Sequence, residues 1–137
     1  MDPVDNVVIA SAWVWVRERR VLVVRPSRSD AFYLPGGKPE AGETYAEAAA
    51  REVGEEIGVV LDAAELSLFT EIVAPAHNRP AGTEVRLICF AGGAPDGEPK
   101  AANEIAELAW FTSAQADRCA PAIRLLIAEL VTADLID

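Results

Sequence analysis

The chain's 137 residues, 51% hydrophobic and 25% charged, have the balance of a soluble globular protein and the length of one domain. Twelve Lys and Arg against 22 Asp and Glu leave a net charge of −10 with the basic residues dispersed, which argues against a nucleic-acid polymer as partner. No apolar run reaches the ~18 residues of a membrane span, "MDPVDN" lacks a signal-peptide pattern, and Cys89 and Cys119 sit among apolar residues as reduced core thiols. No membrane partner is expected, and the expected compartment is the cytoplasm.

In chain order, "NVVIASAWVWV" (6–16) is rich in β-branched and aromatic residues and reads as a strand. Trp13 and Trp15 share one of its faces, which predicts core or homodimer packing rather than base stacking. "RERR" (17–20) reads as a turn, "VLVV" (21–24) as a buried strand, and "FYL" (32–34) as a short strand stopped by "PGG" (35–37). Beyond an acidic helix, "LSLFTEIVA" (66–74), "TEVRLICFAG" (83–92) and "EIAELAWF" (104–111) read as strands separated by loops rich in Pro, Gly and Asn. Residues 120–135 place Ile123, Leu126, Ile127 and Leu130 at helical spacing, so an amphipathic helix closes the series. Strands, helix, strands, helix predict a mixed sheet with helices packed against it.

The acidic helix is bounded by its own residues. Thr44 and Glu47 form a capping box, and Gly58 suits the left-handed residue past a C-terminus, so the helix is predicted over about 45–57. Ala46, Ala49, Ala50, Val53 and Ile57 share a stripe that must face the sheet, whereas Glu52, Glu55 and Glu56 fall in a separate arc of about 100°. Like charges four apart destabilise a helix by about 0.2–0.5 kcal/mol. An ordinary solvated acidic face accepts that cost; so does a site where a hard divalent cation gathers the carboxylates. The preceding "PGGKPEAGE" (35–43) turns sharply and can aim a carbonyl near Gly37 at a ligand, giving an all-oxygen donor set suited to Mg²⁺ or Mn²⁺. Arg51 and Glu43 are predicted to be a supporting pair. Gly54, at about 1 kcal/mol relative to alanine, suggests close approach of a neighbouring segment.

Residues 37–59, "GKPEAGETYAEAAAREVGEEIGV", fill every fixed position of the Nudix box: Gly, five residues, Glu, seven residues, Arg-Glu-apolar-any-Glu-Glu-any-Gly-apolar. With the "LPGG" entry and the "EIAELAWF" strand, the chain resembles Nudix hydrolases over nearly its whole length. The resemblance implies an α/β fold, the Nudix fold, with a mixed β-sheet packed between α-helices as an α/β/α sandwich. It implies an enzyme that cleaves a nucleoside diphosphate linked to another moiety, water attacking phosphorus with the help of Mg²⁺ or Mn²⁺. Carried onto this chain, Glu52, Glu55 and Glu56 would be metal ligands with the Gly37 carbonyl, Glu56 the tightest, and Arg51 their support. Glu52 is the box residue that could double as a base. MutT-like members also use a glutamate six residues before a tryptophan; Glu104 stands so before Trp110, and Glu107 is its competitor.

Arg25 at the end of "VLVV", Lys38 and Arg79 are candidate phosphate contacts, and His77, the single histidine, reads as a solvent-loop residue first and a substrate contact second. The expected substrate is a small nucleotide, a nucleoside triphosphate first. Pro75, sixteen residues past the box, is a spacing seen in ADP-ribose-cleaving members and supports a nucleotide sugar as the alternative. Signatures for dinucleoside polyphosphates, NADH and coenzyme A are missing, and "RCAPA" (118–122) lacks the asparagine that reads oxidised guanine. A non-catalytic sensing module is the third reading, although such members usually lose box glutamates and none is lost here.

Overall fold

A computed structural model describes residues 6–137; residues 1–5, which carry most of the segment read as lacking a signal-peptide pattern, lie outside the described residues. Strands β1 (Val7–Trp13), β2 (Val16–Arg17), β3 (Arg20–Pro26) and β4 (Gly36–Gly37) precede helix α1 (Tyr45–Ile57). Strands β5 (Leu66–Pro75), β6 (Glu84–Gly92) and β7 (Ile105–Phe111) follow, then a 3₁₀ turn (Ser113–Arg118) and helix α2 (Pro121–Thr132). One sheet has the order β4-β1-β6-β5 and the other β2-β3-β7. Among the described strands only β1 and β6 pair in parallel, from Val7 opposite Glu84 to Trp13 opposite Phe90.

The continuous apolar run of β3 is explained by burial on both faces. Val21 and Val23 join Leu126, Ile127 and Leu130 of α2 in one cluster, while Leu22 and Val24 join Val53 and Ile57 of α1 in another. β6 alternates likewise, with Leu87 and Cys89 on the α2 side and Ile88 and Phe90 against Ala49 of α1. The strands therefore lie between the two helices, the mixed-sheet sandwich expected. At about 1.5–3 kcal/mol per fully buried large aliphatic side chain, these two layers are the main source of stability.

Three local expectations change. The strand read over 6–16 ends at Trp13, because the chain turns into a hairpin through Glu18 (φ 53°) and Arg19 (φ 60°), neither of which carries the glycine signal of such a turn. Arg19 is held there by Asp134 and Asp137, an anchor distant in sequence. Phe32 and Tyr33 make only isolated bridges, to Cys119 and Val24, and the strand pairing falls instead on the two glycines of "PGG". Trp13 is buried with its indole N–H donating to Gly92 O (3.0 Å), and Trp15 lies between a tilted Trp13 ring and an edge-on Trp110 ring, beneath the Arg17 guanidinium. The tryptophans thus pack within the chain and supply no separate reason for the expected homodimer. Cys89 and Cys119 are free and buried, and burial pushes their thiols up to about 12 and about 11. No helix among the described residues is long and apolar enough to cross a membrane.

Candidate active site

The site is built where β4 closes on β1 beneath α1. A Cβ at Gly36 would stand 2.1 Å from Ser11 O, so only glycine lets the strands approach this closely. A Cβ at Gly37 would stand 2.5 Å from Glu52 Cδ; the space left by the missing side chain is where the Glu52 carboxylate lies. The Gly36 N–H donates to Glu56 Oε1 (3.0 Å). Helix α1 carries these carboxylates as its sequence requires: Thr44 and Glu47 close the capping box, and Gly58, at φ 69°, ends the helix. The acidic arc does not stay wholly outside the core, however. Glu56 is buried alongside Ala48, Ala49, Val53 and Ile57, one position of the arc turning inward under β4. Gly54 has no close neighbour, its added Cβ meeting only Val59 O at 3.8 Å, which corrects the expectation of a crowded backbone.

Arg51 ties the box together. Its Nε and Nη2 donate to the two oxygens of Glu43 (2.6 and 3.0 Å), its Nη1 to Glu52 Oε1 (2.9 Å) and Glu55 Oε1 (3.4 Å), and its Nη2 to Lys38 O (3.2 Å). The supporting pair with Glu43 is present in bidentate form, the strong geometry for a guanidinium and a carboxylate. Hydrogen bonding from Arg51 draws the Glu43 carboxyl down to about 2, and Glu43 in turn raises Arg51.

A segment far along the chain completes the cluster. The last turn of a helix leaves carbonyls without partners, and here residues 100–103 supply them. Lys100 N–H donates to Ile57 O (2.9 Å), Ala102 N–H to Glu56 O (2.9 Å), and Asn103 Nδ2 to Glu55 O (2.6 Å). Asn103 has φ 53°, a left-handed conformation that asparagine tolerates. Glu104 follows, its carbonyl accepting from Ser27 N–H (2.8 Å). Its charge is felt at both Glu52 and Glu56. Glu107 sits instead opposite Arg25 in the β3–β7 pair and bonds its guanidinium (2.8 Å).

Burial is the main cause that pushes Glu56 up to about 8; the Gly36 N–H opposes it, and the charges of Glu52, Glu104 and Glu55 add to it. Glu52 is also raised, by burial first, against the pull of Arg51 and with Glu55 and Glu104 adding to the rise. Among the described residues no three carboxylate, thiol or imidazole side chains already stand as a ligand set for a metal ion. Arg51 engages Glu52 and Glu55, and Glu56 faces Gly36. The donor chemistry nevertheless fits a hard divalent cation: oxygen only, with two carboxylates held above their usual range by burial and by their neighbours' charge.

Beside this cluster opens a cavity of about 380 Å³. Val8, Ala10, Ala12 and Leu87 give it an apolar wall from β1 and β6, and Ala122 and Ile123 of α2 another. The same cavity is lined by Glu56, Gly36, Gly37 and Lys38, by Pro75 at the end of β5, and by His77, Asn78 and Arg79 from the loop that follows. Of the three candidate phosphate contacts, Lys38 and Arg79 line it; Arg25 does not, its guanidinium being engaged by Glu107 and Ser29 O. His77, read as a solvent-loop residue, lines the cavity too, its ring bonded to Asp30 (2.8 Å) and edge-on to Tyr33. Sequence reasoning missed Asn103; its position between a loop and Glu104 was the available signal, an asparagine suited to a left-handed turn.

The family model described as NUDIX domain matches residues 5–130. Among solved structures, a MutT NUDIX hydrolase from Burkholderia pseudomallei is similar with TM-score 0.73 and 22% identity, over 90% of this chain and 98% of that one. The MutT protein from Methanosarcina mazei Go1 gives 0.74 and 21%, over 94% and 96%. The E. coli dihydroneopterin triphosphate pyrophosphohydrolase gives 0.67 and 22%, over 88% and 92%. At such identities the likeness to these structures is one of fold. No curated protein matches the sequence.

Proposed function

The chain belongs to the Nudix hydrolase family, and on that premise we propose that it is a Mg²⁺- or Mn²⁺-dependent pyrophosphohydrolase of a free nucleoside triphosphate. The observation that carries the reading is a cavity lined by Glu56, Gly37, Lys38 and Arg79 together with an apolar wall. Such a lining suits a nucleoside against the apolar side and a phosphate chain among the cations. Glu52, Glu55, Glu56 and the Gly37 carbonyl would hold the cation. When bound, it would polarise the phosphoryl oxygens and lower the pKa of attacking water. Arg51 keeps Glu43, Glu52 and Glu55 in place, and Lys38 and Arg79 bind phosphate oxygens. Glu104 takes the proton from water as it attacks phosphorus and the anhydride P–O bond breaks. Glu107, paired with Arg25, is the weaker choice for that role.

A panel of nucleotides with Mg²⁺ or Mn²⁺, scored for the products released, tests the substrate. Nucleoside triphosphates should yield monophosphate and pyrophosphate. Pro75 lines the cavity, which favours a second reading, a nucleotide sugar such as ADP-ribose; release of AMP and ribose 5-phosphate would select it. Hydrolysis of neither class would remove both. Glu104→Gln should lower kcat by roughly 10²–10⁴-fold with little change in KM, as loss of a general base does. Glu107→Gln should retain most activity, and the reverse pattern would exchange their roles.

A further inference from the structure

Ser11 is the one polar residue in "VVIASAW", and it is completely buried. Its Oγ is also the one buried side-chain nitrogen or oxygen among the described residues that has no hydrogen-bond partner. A hydroxyl left so costs folding free energy that alanine, the residue on either side of it, would not. The strand register says where it faces. Ser11 pairs with Ile88 of β6 on one side and with Gly37 of β4 on the other. Ile88 packs against Ala49 of α1, so the row Ile88, Ser11, Gly37 presents its side-chain face to that helix. On this face the Glu52 carboxylate occupies the space above Gly37. Directly opposed residues in an antiparallel pair hold their Cβ positions about 4.5–5.5 Å apart, which puts the Ser11 hydroxyl within a rotamer change of that carboxylate.

We propose that Ser11 is a positioning residue for Glu52, its hydroxyl donating to the carboxylate when Glu52 turns from Arg51 toward a bound divalent cation. This rests on the cation site proposed above. Arg51 holds Glu52 from the helix side through Oε1, and Ser11 approaches from the sheet. The buried hydroxyl is thereby unpaired in one arrangement of Glu52 and paired in the other. Its desolvation disfavours the first and favours the second, so its effect is to bias Glu52 toward the ligating orientation.

The test is Ser11→Ala, with two readouts that need no turnover. One is Mn²⁺ affinity, from the electron paramagnetic resonance signal of free Mn²⁺; the other is the thermal midpoint in EDTA. Affinity should fall by roughly tenfold or more, the range for loss of a group that orients a ligand, while the midpoint stays level or rises because an unpaired hydroxyl has been removed. Ser11→Thr, which keeps the hydroxyl, should bind Mn²⁺ like the wild type; the alanine pair of measurements decides even if the added methyl is not tolerated. Unchanged Mn²⁺ affinity in Ser11→Ala overturns the inference and leaves the cation site standing. A midpoint that falls together with the affinity assigns Ser11 to packing and overturns it as well. A wild type that does not bind Mn²⁺ overturns the cation site itself and this inference with it.

Discussion

Glu56 and Glu43 are glutamates in the same box, yet their surroundings move them in opposite directions. Glu56 is raised from the ordinary 4.5 to about 8 by burial, so between those values the folded chain holds a proton that the unfolded chain has released. Its contribution to stability is fully present below pH 4.5 and is lost as pH rises to about 8. Glu43 is lowered to about 2 by Arg51, so its contribution is present above pH 4.5 and is lost as pH falls toward 2. Cation-free protein should therefore lose stability on both sides of a maximum in mildly acid solution, the alkaline limb amounting to a few kcal/mol. Urea denaturation in EDTA across pH 3–9 measures it. Glu56→Gln should flatten the alkaline limb alone; an unchanged limb would assign the loss to other groups.

At the scale of elements, α1 carries the site because its two ends are fixed by different means. Its N-terminus is closed by residues of its own, Thr44 and Glu47. Its C-terminus is closed by Gly58 and by residues 100–103, and the second of these brings Glu104 to the cluster. Gly54 lies between the ends, exposed and with open space around it, so neither packing nor a left-handed backbone requires glycine there. Gly54→Ala should raise stability by about 0.5–1 kcal/mol through its effect on the helix and on the unfolded chain. Denaturant midpoints measure this. A loss instead of a gain would mean that the helix needs to bend at this point.

In the whole molecule the carboxylate cluster and the α2 core lie on opposite faces of the strands, each face carrying its own apolar layer, and the cavity reaches from one to the other. α2 supplies Ile123, Leu126, Ile127 and Leu130 to the core, whereas the carboxylates belong to α1 and the segment before β7. Leu126 is fully buried, and Leu126→Ala should cost about 2–5 kcal/mol of unfolding free energy. Mn²⁺ affinity of the folded variant should match the wild type, since no carboxylate of the cluster stands on α2. A large loss of affinity at temperatures where the variant is folded would show that the two layers are coupled.

The amino-acid sequence by itself determined what is local. The limits of α1 followed from Thr44, Glu47 and Gly58, the pairing of Arg51 with Glu43 from the box, and the burial of β3 from an unbroken apolar run. Each of these rests on residues a few positions apart, or on a periodicity that one element carries alone. Tertiary structure decided the rest. Gly36 and Gly37 form a strand because Ser11 and Ala12 lie beside them, and Glu56 is buried because β4 covers it. Arg25 is withdrawn from the cavity by Glu107, 82 residues away, and His77 lines it beside Asp30, 47 residues away. Ser11 in an apolar strand meant nothing until the register set it beside Gly37 under Glu52. A side chain's environment is fixed by what the fold brings against it, and periodicity within one element contains no record of that.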